Sequence, residues 1–292
     1  MSFACGDSYR LSEVNALTET EEFKAKPIYL IPILASLLTG LGFSVLLRLN
    51  PVETPPLTPF PDTTSGSFSN ALYFVIIIAI AATIFYLLIK WKSRKVITVL
   101  IGFALTAASV LLSLFYLFAL FSSFSDALIY IILVSIVVAI VFDYIIFRGN
   151  EASRNAVVIL LGGALGVFLG WSIPLFSAVL ILAFLAVYDI IAVYKGPVGK
   201  IASSSGLDQL KGLSFSFKDI QMGLGDLVFY SMLCAAMLRW FTWFSYVASF
   251  VGVVVGAFVT FMILEKRGIF PGLPVPILLG LTAGLLGSLV TV

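Results

Sequence analysis

Histidine is absent from this 292-residue chain, and its absence removes whole mechanisms. A zinc peptidase built on H-E-x-x-H is impossible, and so is a Ser–His nucleophilic pair. Cysteine is nearly absent. Cys5 lies in the polar N-terminus and Cys234 in an apolar run, a spacing that gives neither a disulfide framework nor a metal site. Charge is scarce as well. Only 11% of residues are Asp, Glu, Lys or Arg, against about 25% in a soluble domain. With 61% hydrophobic residues and a mean hydropathy of +1.13, the chain would not stay in solution. A transmembrane barrel would alternate apolar and polar residues in stretches of about 10. The runs here are continuous, as in "ALYFVIIIAIAATIFYLLI". The fold class is therefore all-α, a polytopic membrane protein.

Nine apolar segments are legible, at residues 27–49, 71–91, 96–121, 127–147, 156–170, 173–194, 222–238, 241–264 and 271–291. The whole chain, 1–292, reads as one membrane domain. It comprises a polar segment (1–26), helices one to six (27–194), a long loop (195–221) and helices seven to nine (222–292). Residues 1–26 show no signal-peptide pattern. Residues 50–70 are rich in Pro, Ser and Thr. The 195–221 loop carries Lys195, Lys200, Lys211 and Lys218, and its serine- and glycine-rich composition reads as a flexible linker. Within it, "LSFSF" (213–217) alternates polar and apolar, as a strand added beside a substrate would. No internal repeat is evident, which weakens an inverted-repeat transporter reading.

Orientation follows from the basic residues. With the N-terminus inside, all 17 Lys and Arg residues except Arg48 and Arg239 fall on the inner side. This bias predicts nine crossings of the cell membrane, a cytoplasmic N-terminus and an external C-terminus. Trp91, Trp171, Trp240 and Trp243 stand near segment ends, as interfacial belts do. The cluster Lys90, Lys92, Arg94 and Lys95 reads as a topology anchor able to meet anionic lipid.

Three acids fall within apolar runs: Asp143, Asp189 and Asp226. Each costs about 2.5–3.5 kcal/mol on insertion scales. Asp143, five residues before Arg148, reads as structural, able to snorkel or pair locally. Asp189 precedes Lys195 by six residues and Asp226 follows Lys218 by eight. At 1.5 Å per helical residue both sit roughly 9–12 Å from those lysines, at matched depth on antiparallel neighbours. Two carboxylates so placed repel each other when both are ionised, so the pair keeps one proton. One can then take a proton from water while the other polarises a peptide carbonyl. The alternative structural reading bonds each aspartate to a neighbouring helix's hydroxyl or backbone.

Two further stretches adjoin these acids. In "MGLGDLVFYS", Gly223 and Gly225 let backbone or substrate approach Asp226 and permit an unusual turn at the helix start. They equally serve ordinary helix packing. In "FPGLPVPILLG", Pro271, Pro274 and Pro276 disfavour regular helix before each of them. That leaves carbonyls and amides free to pair with an extended peptide, although proline is also an ordinary first residue of a helix.

"YDIIAVYKGPVG", "GLGDLVFYS" and "PGLP", in this order on nine segments, resemble the presenilin and signal-peptide-peptidase family of intramembrane aspartyl proteases. The tyrosine–aspartate motif matches Tyr188 and Asp189. The Gly-x-Gly-Asp motif matches Gly223, Leu224, Gly225 and Asp226. The proline–alanine–leucine motif matches Pro271, Gly272 and Leu273, followed by Pro274, with glycine for alanine as a small-for-small change. The resemblance implies a presenilin-like fold of nine transmembrane helices and Asp189 with Asp226 as the catalytic pair. Tyr188, Gly223, Leu224, Gly225 and Pro271–Pro274 then support substrate and active site. It further implies hydrolysis of transmembrane helices with catalytic water alone, and no cofactor or metal. The partners are transmembrane-helix proteins and membrane lipid, with no nucleic acid. No obligatory subunit is implied, and an oligomer is compatible. The orientation resembles presenilin, which favours substrates with external N-termini. The compact loops resemble a microbial, archaeal homologue, and loop 195–221 matches the segment that presenilins cut autocatalytically. The competing reading is a proton- or cation-coupled transporter or channel using the same carboxylates.

Overall fold

Helices in a bilayer cannot rely on the hydrophobic effect to hold one another, so they close on small residues. That rule organises the computed structural model, which describes residues 24–52, 54, 57–91, 93–121, 128–194, 214–217, 220–267 and 270–290. Its helices are α1 (Ile31–Leu49), α2 (Thr64–Lys90), α3 (Arg94–Phe121), α4 (Leu128–Arg148), α5 (Glu151–Ser172), α6 (Leu175–Tyr194), α7 (Leu224–Trp240), α8 (Trp243–Arg267) and α9 (Pro274–Leu289). A 3-10 turn, Pro27–Leu30, leads into α1. Strands β1 (Ser214–Phe217) and β2 (Ile220–Gly223) pair antiparallel just before α7.

Among the described residues these nine helices coincide with the nine expected segments, differing at their ends. α2 begins seven residues early because the side chain of Thr63 caps it, accepting from the Gly66 amide at 3.1 Å. Its polar first turns are buried against α6. Asn70 donates to Ser177 Oγ at 3.1 Å, and Ser177 donates to Ser67 Oγ at 3.0 Å. Asn70 also ties down the preceding loop by pairing with both the N–H and the C=O of Phe60. α5 likewise begins early, at a cap where Asn150 Oδ1 accepts from the Ser153 amide at 2.8 Å.

α7 is the axis of the bundle. Residues Tyr230 to Leu238 are all buried, and α1, α5, α6, α8 and α9 pack around it. Its closest neighbour is α5, through Gly162, Gly166 and Gly170. A Cβ built on Gly166 would stand 2.5 Å from Ser231 Cβ, and one on Gly170 would stand 2.7 Å from the Met232 carbonyl oxygen. A second seam joins α8 to α9, where a Cβ on Gly256 would meet Pro276 Cα at 2.5 Å. Cys234 is part of the α7 core and donates to Ser249 Oγ at 3.8 Å.

Among the described residues seven helices are long and apolar enough to cross a membrane, counting the Pro27–Leu30 turn with α1. The two short ones are α7, with 17 residues, and α9, with 16. Both are short at the same end for a local reason. The chain enters α7 from an extended strand and α9 from the proline-rich stretch. Non-helical backbone at membrane depth is tolerated only where it is buried in protein or lines a cavity, and here it gathers around the two aspartates. Ahead of α1, the Ala25 amide donates to Glu265 near the end of α8 at 2.9 Å.

Candidate active site

Asp189 stands five residues before the end of α6, and Asp226 is the third residue of α7. An acid in the first turn of a helix meets the positive end of the dipole. The two carboxylates approach the same short stretch of backbone from different helices. What joins them is the stretch Pro271–Leu273, which leads into α9. The Leu273 amide donates to Asp189 Oδ2 at 3.0 Å. Gly272 lies against the other acid, where an added Cβ would stand 2.9 Å from Asp226 Oδ2 and 3.2 Å from its Cγ. The Gly272 carbonyl accepts from the Tyr230 hydroxyl at 2.8 Å. The two acids thus bracket one short stretch of backbone.

The other residues of the three motifs divide. Pro271 and Leu273 are buried, whereas Gly272 and Pro274 are partly exposed. Pro274 takes the ordinary first position of α9. Gly223 has an unremarkable extended conformation, φ −75° and ψ 145°, so no unusual turn is present. Gly223 and Gly225 are exposed, and among the described residues a Cβ on either would meet nothing closer than 3.8 Å. Their contribution is open space beside Asp226. Leu224 turns the other way, toward Gly162 of α5. Tyr188 is partly exposed. The expectation of free peptide groups in Pro271–Pro274 meets a different outcome, because the Gly272 carbonyl and the Leu273 amide already have internal partners.

The alternating stretch before α7 is strand rather than linker over Ser214–Phe217, paired with Ile220–Gly223 in the register Ser214 with Gly223 and Phe217 with Ile220. Residues 195–213, 218 and 219 of the loop, with any autocatalytic cut there, lie outside the described residues, as do Lys92 and residues 1–23. Asp143 pairs with α3 rather than with Arg148. Thr106 Oγ1 donates to its Oδ2 at 2.5 Å.

Sequence reasoning missed Tyr230. The signal was present in "GDLVFY", since a residue four after Asp226 shares its helix face. It also missed the Gly162, Gly166 and Gly170 spacing, a small-xxx-small pattern in a segment that carried no recognised motif.

Comparisons place this architecture among known proteins. The family model described as signal-peptide peptidase, presenilin aspartyl protease matches residues 35–211, which include Asp189. The presenilin family model matches residues 199–292, which include Asp226. No match is found among the curated proteins. Two solved structures of a presenilin family intramembrane aspartate protease share the fold. In the C222 crystal form the identity is 17% over 89% of this chain and 97% of that one, with a TM-score of 0.65. In the P2 form it is 20% over 89% and 94%, with a TM-score of 0.60. The chain belongs to the signal-peptide peptidase and presenilin family of intramembrane aspartyl proteases.

Proposed function

We propose that Asp189 and Asp226 are the catalytic pair and that they cleave transmembrane helices with a water held between them. The observation that carries this is the convergence of both carboxylates on Gly272–Leu273 from different helices. In the ready state one carboxyl holds a proton and the other does not. The ionised one takes a proton from water as the oxygen attacks the peptide carbon. The protonated one gives its proton to the carbonyl oxygen, forming a neutral gem-diol. On collapse the diol returns a proton, the amide nitrogen takes one, and the C–N bond breaks. Atoms and charge balance with water alone, so this reading needs no cofactor or metal.

The exposed glycines at 223 and 225 leave room for a substrate backbone beside Asp226. The β1–β2 pair stands three residues upstream of the acid, where an unwound substrate could add as a strand. Tyr188, Leu224 and Pro271–Pro274 are supporting residues in this reading. The substrates are transmembrane proteins with external N-termini, in a cell membrane, with the enzyme's N-terminus cytoplasmic. Two contacts favour that orientation. Arg48 stacks over Trp243 at 5.4 Å and Arg239 over Trp240 at 5.0 Å, as expected for the two external cations at an aromatic belt. The reading requires no further subunit, and self-association is compatible with it. A transporter reading draws no support from repeat symmetry and none from the family.

The test is cleavage of a transmembrane peptide by purified Asp189→Asn and Asp226→Asn variants. Each keeps the side-chain volume and loses the carboxylate, so each should be inactive with the fold retained. Turnover at the wild-type rate in either variant refutes the assignment.

A further inference from the structure

We propose that Tyr230 is a positioning residue, which holds the Gly272–Leu273 peptide so that its N–H orients Asp189. This rests on the assignment of Asp189 and Asp226 as the catalytic pair. The peptide in question has its two ends occupied by two different helices. Its carbonyl, from Gly272, accepts from Tyr230 of α7 at 2.8 Å. Its N–H, from Leu273, donates to Asp189 of α6 at 3.0 Å. A trans peptide is rigid and planar, so fixing the carbonyl fixes the direction of the N–H. A donor on the carbonyl also polarises the unit and strengthens the bond its N–H makes.

The sequence around the loop explains why a side chain must supply this donor. In a helix the Gly272 carbonyl would accept from the amide four residues on. That residue is Pro276, which has no N–H. The next carbonyl along, that of Leu273, is satisfied in the ordinary way by Ile277 at 3.0 Å. The Gly272 carbonyl is therefore orphaned by the proline pattern. Tyr230 is 1% exposed, and a buried phenol needs a partner of its own. Each group answers the other's need.

The connection runs between the two acids. Tyr230 follows Asp226 by four residues on α7, so both point to one face. Gly272 lies against Asp226 while its own carbonyl is held by Tyr230. The helix that carries one carboxylate thereby sets the hydrogen bond received by the other. A purely structural tyrosine would contribute to folding alone, whereas a positioning tyrosine also changes how the pair ionises and how fast it turns over.

The experiment compares wild type, Tyr230→Phe, and the protein with 3-fluorotyrosine at 230, alongside Asp189→Asn and Asp226→Asn. Each is assayed for kcat, KM, pH–rate profile and thermal midpoint. In Y230F the ring stays and the donor goes. The expected result is a kcat lower by about tenfold, the size of one lost neutral hydrogen bond. KM should stay within about twofold, and at least one limb of the pH–rate profile should be displaced. Wild-type kcat with a superimposable profile overturns the proposal, and so does a fall in rate with an unmoved profile. If Y230F does not fold, the fluorinated variant decides, since it keeps the hydroxyl and makes it a stronger donor. A displaced limb supports the proposal, and an unmoved one overturns it. Cleavage by D189N or D226N would instead overturn the underlying assignment of the pair.

Discussion

Gly272 lies so close to Asp226 that a Cβ built on it would stand 2.9 Å from the carboxylate Oδ2. Size alone makes alanine an innocent replacement there, and the resembled motif carries it. In this chain the added methyl forces the carboxylate to turn. Displacements of about 1 Å at a reacting group can cost about a hundredfold in rate. Gly272→Ala should therefore lower kcat about ten- to a hundredfold with little change in thermal midpoint, because the group displaced is the end of a movable side chain. Turnover of a transmembrane peptide measures this. A rate equal to wild type would show that Asp226 rotates without losing its role.

The glycines between α5 and α7 make a separate prediction, about stability. A Cβ at position 166 would meet Ser231 Cβ at 2.5 Å, and one at 170 would meet Ala235 Cβ at 2.9 Å. Neither neighbour can move without displacing the axial helix. Gly166→Ala and Gly170→Ala should each destabilise by about 1–3 kcal/mol, the usual cost of overpacking. Gly42 is the internal control, with nothing within 4 Å of its added Cβ among the described residues. Gly42→Ala should be neutral or stabilising by up to about 1 kcal/mol, through helix propensity. Thermal unfolding in one detergent ranks the three. Equal midpoints would mean that α5 and α7 are not in such close contact.

Continuous apolar runs made the number of helices legible, since composition alone requires the chain to hide its backbone in helices. The ends were harder. α2 starts in "TSGSFSN", whose polar side chains are satisfied by α6 and by the preceding loop, a pairing that no local pattern announces. The aspartates were legible because a charge in lipid is costly and needs a reason. Tyr230 was not, because a tyrosine in an apolar helix is unexceptional until its hydroxyl is seen on the one carbonyl that Pro276 leaves unpaired. Alternation in "LSFSF" is legible as a strand beside a substrate, but its pairing with Ile220–Gly223 is not, because residues 222 and 223 read as the start of the apolar segment 222–238.

Asp143 is the third membrane acid, and its surroundings differ from those of the pair. Thr106 donates to one oxygen. The other is buried without a hydrogen-bond partner among the described residues. Asparagine can accept the same bond from Thr106 while removing a charge that is expensive to bury. Asp143→Asn should leave cleavage within about twofold of wild type and the thermal midpoint equal or higher. Loss of cleavage with the fold intact would place Asp143 in the chemistry and require a third acid in the reaction.

A pair that needs one acid and one base must fail at both ends of the pH scale. In acid both carboxyls hold protons, and neither can accept one from water. In alkali both are ionised, none is left to protonate the substrate carbonyl, and the like charges repel. The plot of kcat/KM against pH should therefore rise and then fall, with two apparent ionisations that belong to the pair rather than to either residue. Unfolding would mimic either limb, so the thermal midpoint is recorded at each pH, and only points where the protein is folded count. The peptide should carry no titratable group near the cleaved bond. A rate that stays flat between about pH 4 and pH 9, the range over which the two carboxyls would have to exchange their proton, would remove the shared-proton mechanism even if both aspartates proved essential.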